Sequence, residues 1–251
     1  MDTFGYGIRT KFGAWNVRSL YGEGRDEQLE REMLRLKISI LGISETKCRG
    51  RAEYRSDTGQ TRMLYSGEDE RENGQRLHGV GIMLNEVARR SLIAWPPISE
   101  RIMTCYAPAN EATEEDKSTF YTHLTSAYSS VPKADIIIVM GDLNAQVGAD
   151  NELWEKMARV HVMKMVTCFY GDTENQIGHI MIQQQWKKSM FHVRNIRNAD
   201  LGSDHHLVVI SLKLKTAAVL RQSQNAARNQ KFITNALSDP NISRKDTIGI
   251  N

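Results

Sequence analysis

Cysteine is scarce in this chain. Cys48, Cys105 and Cys168 form an odd set with wide spacing, which argues against a disulfide framework and gives no metal-ligand pattern, so a reducing compartment is expected. Long apolar runs are lacking too: none approaches the roughly 18 residues that cross a bilayer. The opening Met1–Gly5 has neither the basic nor the apolar region of a secretory leader. An intracellular protein, nuclear or cytoplasmic and without a membrane partner, is the expectation. There is no internal repeat, and no strict strand–helix alternation of the kind a parallel doubly wound sheet requires.

What is present is ordinary in bulk and uneven in detail. The chain has 251 residues, 40% apolar and 25% charged, the composition of a soluble globular protein with one large domain or two small ones. Its net charge of +3 is concentrated: residues 213–251 carry seven lysines and arginines against two aspartates. A basic tail on a nearly neutral body suits a polyanion contact away from the core, or a solvated tail with no particular partner. Hydrophobic periodicity fades after residue 215, so 216–251 reads as a poorly ordered linker or tail.

Several short apolar stretches read as strands: Lys11–Val17, Ile38–Thr46, Gly79–Leu84, Ile102–Ala107, the run from Ile136, and His206–Leu214. Met63–Ser66 reads as an edge strand within a polar segment. Leu29, Met33 and Leu36 mark one face of a helix over Arg25–Leu36. Thr113–Asp116 resembles a capping box, followed by a helix with Phe120, Leu124, Ala127, Tyr128 and Val131 on one face. Residues 152–167, free of glycine and proline, read as a further helix. Mixed strands and helices of this kind predict an α/β sandwich with mixed sheets.

The strand ends carry the chemistry. Ile136–Met140 stops at Gly141, and Asp142 and Asn144 follow two positions apart. If strand geometry continues, their side chains share one side; an Asp-Asn turn is the plainer reading. Asn16, Glu45, Tyr106 and the pair Asp204-His205 stand at other strand ends. Ligand sites collect at such ends, and each group is of a type useful in phosphate chemistry. His78, His179 and His206 show no ligand spacing and are read as structural. Trp15 is read as a core residue in preference to a base-stacking one.

The phrases Ala14–Leu20, Gly42–Lys47, His78–Leu84, Ile98–Ile102, Cys105–Pro108, Gly141–Asn144 and Gly202–His206 resemble, in order, the endonuclease/exonuclease/phosphatase superfamily. Within it they are most similar to the endonuclease domain of LINE-type (non-LTR) retrotransposons and to craniofacial-development-protein-2-like sequences. The resemblance spans residues 11–215. It implies two packed mixed β-sheets in a four-layer α/β/β/α sandwich, here partly truncated, with Mg²⁺-dependent hydrolysis of phosphodiesters and DNA nicking as the activity. Mn²⁺ could replace Mg²⁺, and the DNA backbone would be the partner.

The resemblance also implies roles. Glu45 would anchor the metal, with Asn16 and Asp204 assisting. Asp142 would activate water, and Asn144 would hold phosphate or nucleophile. Tyr106 would contact the phosphate or leaving oxygen, and His205 would stabilise the phosphoryl charge.

Three departures qualify the match. Gly178 stands where relatives carry an aspartate that orients the site histidine; Asp172, Glu174 or Asp200 could substitute for it. The segments before Cys105 and between Asn144 and Asp204 are shorter than in relatives, leaving an open sheet edge or cavity. A catalytically dead relative that binds nucleic acid or protein is therefore the alternative reading. A small-molecule phosphoesterase is the third.

Overall fold

The computed structural model describes residues 9–67, 78–90, 102–109, 111–131, 135–144, 160–162, 168–170, 173–175 and 177–213. Most of the helix expected over 152–167, Asp172, the phrase from Ile98 to Arg101 and the tail 216–251 lie outside these residues. Among them, seven strands form one sheet in the order β12-β13-β1-β2-β5-β4-β3. In chain order these are β1 (Arg9–Asn16), β2 (Ile40–Ser44), β3 (Arg51–Arg55), β4 (Thr61–Ser66), β5 (Val80–Asn85), β12 (Met190–Ile196) and β13 (Leu207–Lys213). A second sheet runs β6 (Ile102–Tyr106), β7 (Ile138–Asp142), β11 (Gly178–Gln183), β8 (Val160–Val162). A small hairpin pairs β9 (Cys168–Tyr170) with β10 (Thr173–Asn175).

Each larger sheet is antiparallel except for one parallel pair, β1 with β2 and β6 with β7. Both sheets are therefore mixed, as the sequence predicts. Their inner faces approach closely at Gly42, where an added Cβ would meet Met140 Cβ at 3.0 Å and Thr104 Oγ1 at 2.9 Å. Helix α1 (Arg25–Arg35) buries Leu29 and Met33 in a cluster with Trp15, Leu41, Ile43 and Leu207. On the second sheet, Phe120, Leu124, Ala127 and Tyr128 of α3 (Glu114–Ser130) pack against Val131, Ile137, Val139 and Met181. A short helix, α2 (Glu86–Arg89), follows β5. The layers are thus helix, sheet, sheet, helix.

Local signals explain most of these boundaries. Thr113 caps α3, its Oγ1 accepting from Asp116 N at 3.1 Å. Helix α1 ends where Lys37 turns left-handed (φ 56°) and Ile38 N reaches back to Met33 O at 2.9 Å.

Two expectations are corrected. Thr61–Ser66 is not an edge strand: it lies between β5 and β3, and β3 is the outer one. Four of the five β3 residues are exposed, so it carries no apolar alternation to reveal it. The helix expected over 152–167 does not hold at 160–162, which pairs with β11. Val160 and Val162 are β-branched and favour strand, and lack of glycine and proline is no helix signal by itself.

Candidate active site at the joint end of two sheets

Both parallel pairs stop at the same end of the sandwich. Asn16 pairs with Ser44 in one sheet, and Tyr106 pairs with Asp142 in the other. Ser44, fully buried, joins the sheets: its Oγ donates to Cys105 O at 3.2 Å and accepts from Asp142 N at 3.2 Å. Gly141 lets β6 and β7 come together. Its φ is 141°, and a Cβ there would lie 1.9 Å from Cys105 O, a position no side chain can occupy.

Asn16 is the centre of the arrangement. Its buried Nδ2 donates to Glu45 Oε1 at 2.7 Å and to Asp142 Oδ2 at 2.8 Å. Its Oδ1 accepts from Arg18 N at 2.9 Å. Two carboxylates therefore face one amide nitrogen, which offsets their mutual repulsion with two charge-assisted bonds.

Asp142, also buried, accepts from Asn144 N through Oδ1 at 2.9 Å. The strand does not continue past Asp142: Asn144 is left-handed (φ 46°), and its Nδ2 donates to Ala107 O at 2.7 Å. The strand alternation invoked for the pair therefore does not place Asn144. A turn closed by the Asp142 side chain does.

His205 lies between two acids. Nδ1 is 3.7 Å from Asp142 Oδ2, and Nε2 is 3.8 Å from Asp204 Oδ1. Its backbone is held on both sides, with Trp15 Nε1 donating to His205 O at 2.9 Å and His205 N donating to Ser203 Oγ at 3.1 Å. Ser203 Oγ in turn donates to Asn16 O at 2.7 Å. Trp15 is a core residue, 2% exposed, and its polar edge fixes the histidine loop. Arg18 reaches Asp204 Oδ2 at 3.1 Å across the rim.

Tyr106 completes the wall, in contact with Asn144 and Glu45. Burial, followed by the negative charge of Glu45, pushes its hydroxyl up to about 12. It is a neutral donor at any ordinary pH. The Cys105 thiol is also pushed up to about 12, by burial and then by Asp142.

Asn16, Glu45, Tyr106, Asp142, Asn144, Asp204 and His205 are thus brought together. Ser44, Ser203 and Arg18 were not foreseen. All three lie within the matched phrases, but none is among the strand-end polar groups that drew notice to the others.

Gly178 lies directly opposite Asp142 in the β11–β7 register. Opposed residues share a face, so a side chain at 178 would stand beside Asp142. The acids set against His205 are Asp142 and Asp204.

Among the described residues no three His, Cys, Asp or Glu are grouped to hold a metal ion. The donors present, the carboxylates of Glu45 and Asp142, are hard oxygens held close together by the one Asn16 amide nitrogen. They fit an ion that takes one or two carboxylates and fills its remaining positions with water, as Mg²⁺ does.

The architecture is that of the endonuclease/exonuclease/phosphatase fold. The endonuclease domain of TRAS1, a telomere-specific non-LTR retrotransposon, superposes with a TM-score of 0.53 at 15% identity, covering 82% of this chain and all of that domain. The 3' phosphatase NExo from Neisseria, bound to a product DNA hairpin, gives 0.56 at 15% identity, covering 82% of this chain and all of that one. In sequence the chain is similar to craniofacial development protein 2: it is 28% identical to the Bos taurus protein over 248 residues, or 81% of this chain and 41% of that protein. It spans less than half the length of the curated relatives it matches. No family model matches the chain.

Proposed function

We propose that this chain is a divalent-metal-dependent phosphodiester hydrolase that nicks DNA. The observation that carries the reading is the Asn16 amide, held 2.7 Å from Glu45 and 2.8 Å from Asp142 beside His205. Glu45, assisted by Asn16 and Asp204, would hold Mg²⁺ or Mn²⁺. The ion supplies charge neutralisation at the scissile phosphate. Asp142 orients a water molecule and takes its proton as the water oxygen bonds to phosphorus. Its Oδ1, fixed by Asn144 N, keeps that carboxylate from rotating. His205 donates to a phosphoryl oxygen. Tyr106, neutral far into the alkaline range, donates to the phosphate or to the oxygen that leaves. Fixed donors aimed at developing charge are the usual source of rate in such sites.

The test is conversion of supercoiled plasmid to open circle in Mg²⁺, with Asp142→Ala as the control. Nicking above that control supports the reading, and equal traces for the two proteins overturn it.

The second reading is a binding relative without turnover. Gly178 beside Asp142 favours it, because the site then lacks an acid devoted to His205. It is distinguished by plasmid binding that falls steeply with salt in the absence of any nicking.

A further inference from the structure

We propose that Tyr21 is a stacking platform for an unpaired nucleobase at the rim of the proposed nuclease site. The inference rests on the nucleic-acid reading above and names a contact for it. Tyr21 is the most exposed of the large apolar side chains among the described residues, at 70%. A single exposed aromatic is unremarkable in itself. Its setting is what matters.

The loop that presents it is fixed along its length. Val17 N donates to Ser44 O at 3.1 Å, and Leu20 N donates to Thr46 O at 2.9 Å. Tyr21 N donates to Ser19 Oγ at 2.9 Å. From α1, the Arg25 guanidinium donates to Ser19 O at 2.8 Å, Val17 O at 3.1 Å and Leu201 O at 2.8 Å. That fork ties the Tyr21 loop to the segment leading to Asp204 and His205. The aromatic ring is thus carried on an ordered backbone, which lowers the entropy lost on binding.

Location supplies the partner. Leu20 bonds to Thr46, the residue after Glu45, so Tyr21 stands one step beyond the carboxylate end of β2. On the same loop Arg18 is largely exposed, its guanidinium 3.1 Å from Asp204. A cation and an exposed aromatic three positions apart on one loop next to the site match a phosphate followed by a base. Glu23, Asp26 and Glu27 lie on the other side of Tyr21 in sequence, which confines the phosphate contact to the Arg18 flank. Stacking accepts any base, since every base has a π-face.

The experiment compares two fluorescent probes of equal length in EDTA, where no strand is cut: an oligothymidylate and a chain of abasic phosphodiester linkers. Tyr21→Ala is expected to weaken the oligothymidylate about tenfold and to leave the abasic chain unchanged. Tyr21→Phe, which keeps the ring, is expected to stay within about twofold of the parent. Three results overturn the platform while leaving the nucleic-acid reading intact: Tyr21→Ala binding as the parent does, an equal loss on both probes, or an equal loss in Tyr21→Phe. If the folded parent binds neither probe, the nucleic-acid reading itself fails and the platform falls with it.

Discussion

Asn16 keeps two acids at hydrogen-bonding distance from one nitrogen, and on the same floor burial first, and those charges second, shift two neighbouring groups. Cys105 and Tyr106 begin from ordinary values of 9.0 and 10.0, and each is pushed up to about 12. Both are neutral when protonated, and both are raised in the folded chain. Their contribution to stability is therefore complete below about pH 9 and is lost as pH climbs toward 12. Urea midpoints are expected to hold steady from pH 7 to 9 and to fall beyond it, with Cys105→Ala flattening the first part of the fall. A midpoint that is level through pH 11 would contradict this. These residues also show what sequence makes legible. Asp142 stood out because an apolar run met a glycine, and the structure gives that glycine a reason in the Cys105 carbonyl. Ser44 did not stand out, because a serine within an apolar strand has the same appearance whether or not it joins two sheets.

At the scale of elements, the hairpin β3–β4 was the least legible and has an unusual attachment. Glu30 of α1 is 2% exposed, and its Oε1 accepts from Ser56, Thr58 and Thr61 at 2.7, 2.7 and 2.9 Å. One buried carboxylate thus gathers three hydroxyls at the hairpin turn. Glu30→Ala strands those donors and is expected to lower the unfolding free energy by about 3 kcal/mol, measured by urea titration. Glu30→Gln keeps an acceptor and is expected to lose less. Equal losses in the two variants would show that packing, not hydrogen bonding, sets the cost. Asp57-Thr58-Gly59 is a turn-forming sequence between the two strands. Its link to Glu30 is not legible in the sequence, since nothing in a helix marks which of its polar positions faces inward.

For the molecule as a whole, two sheets each contribute one parallel pair, and the pairs end together. The alternation of apolar runs revealed most of the strands, but only the topology shows why their ends converge. That topology also gives Gly178 its meaning, since it faces Asp142 across an antiparallel register. An aspartate there would stand next to His205, able to orient the ring in the way a triad acid does. Gly178→Asp is expected to raise plasmid nicking by about tenfold or more, given that loss of an orienting acid costs about 10⁴ in such systems. An unchanged rate would locate the limit on activity elsewhere.

Four of the non-glycine residues with left-handed backbone, Arg18, Glu45, Lys47 and Asn144, sit in the loops around this site. In Arg18, Glu45 and Lys47 such conformations cost about 1 kcal/mol or more apiece, whereas an asparagine adopts them readily. The site is therefore a reservoir of stored strain, and heat selects against it. Variants screened only for thermal tolerance should gather glycine or asparagine at 18 and 47. Lys47→Gly is expected to raise the melting temperature by a few degrees, read by calorimetry, while loosening the backbone beside Glu45. Improving the scaffold and preserving the chemistry would then pull the sequence in opposite directions.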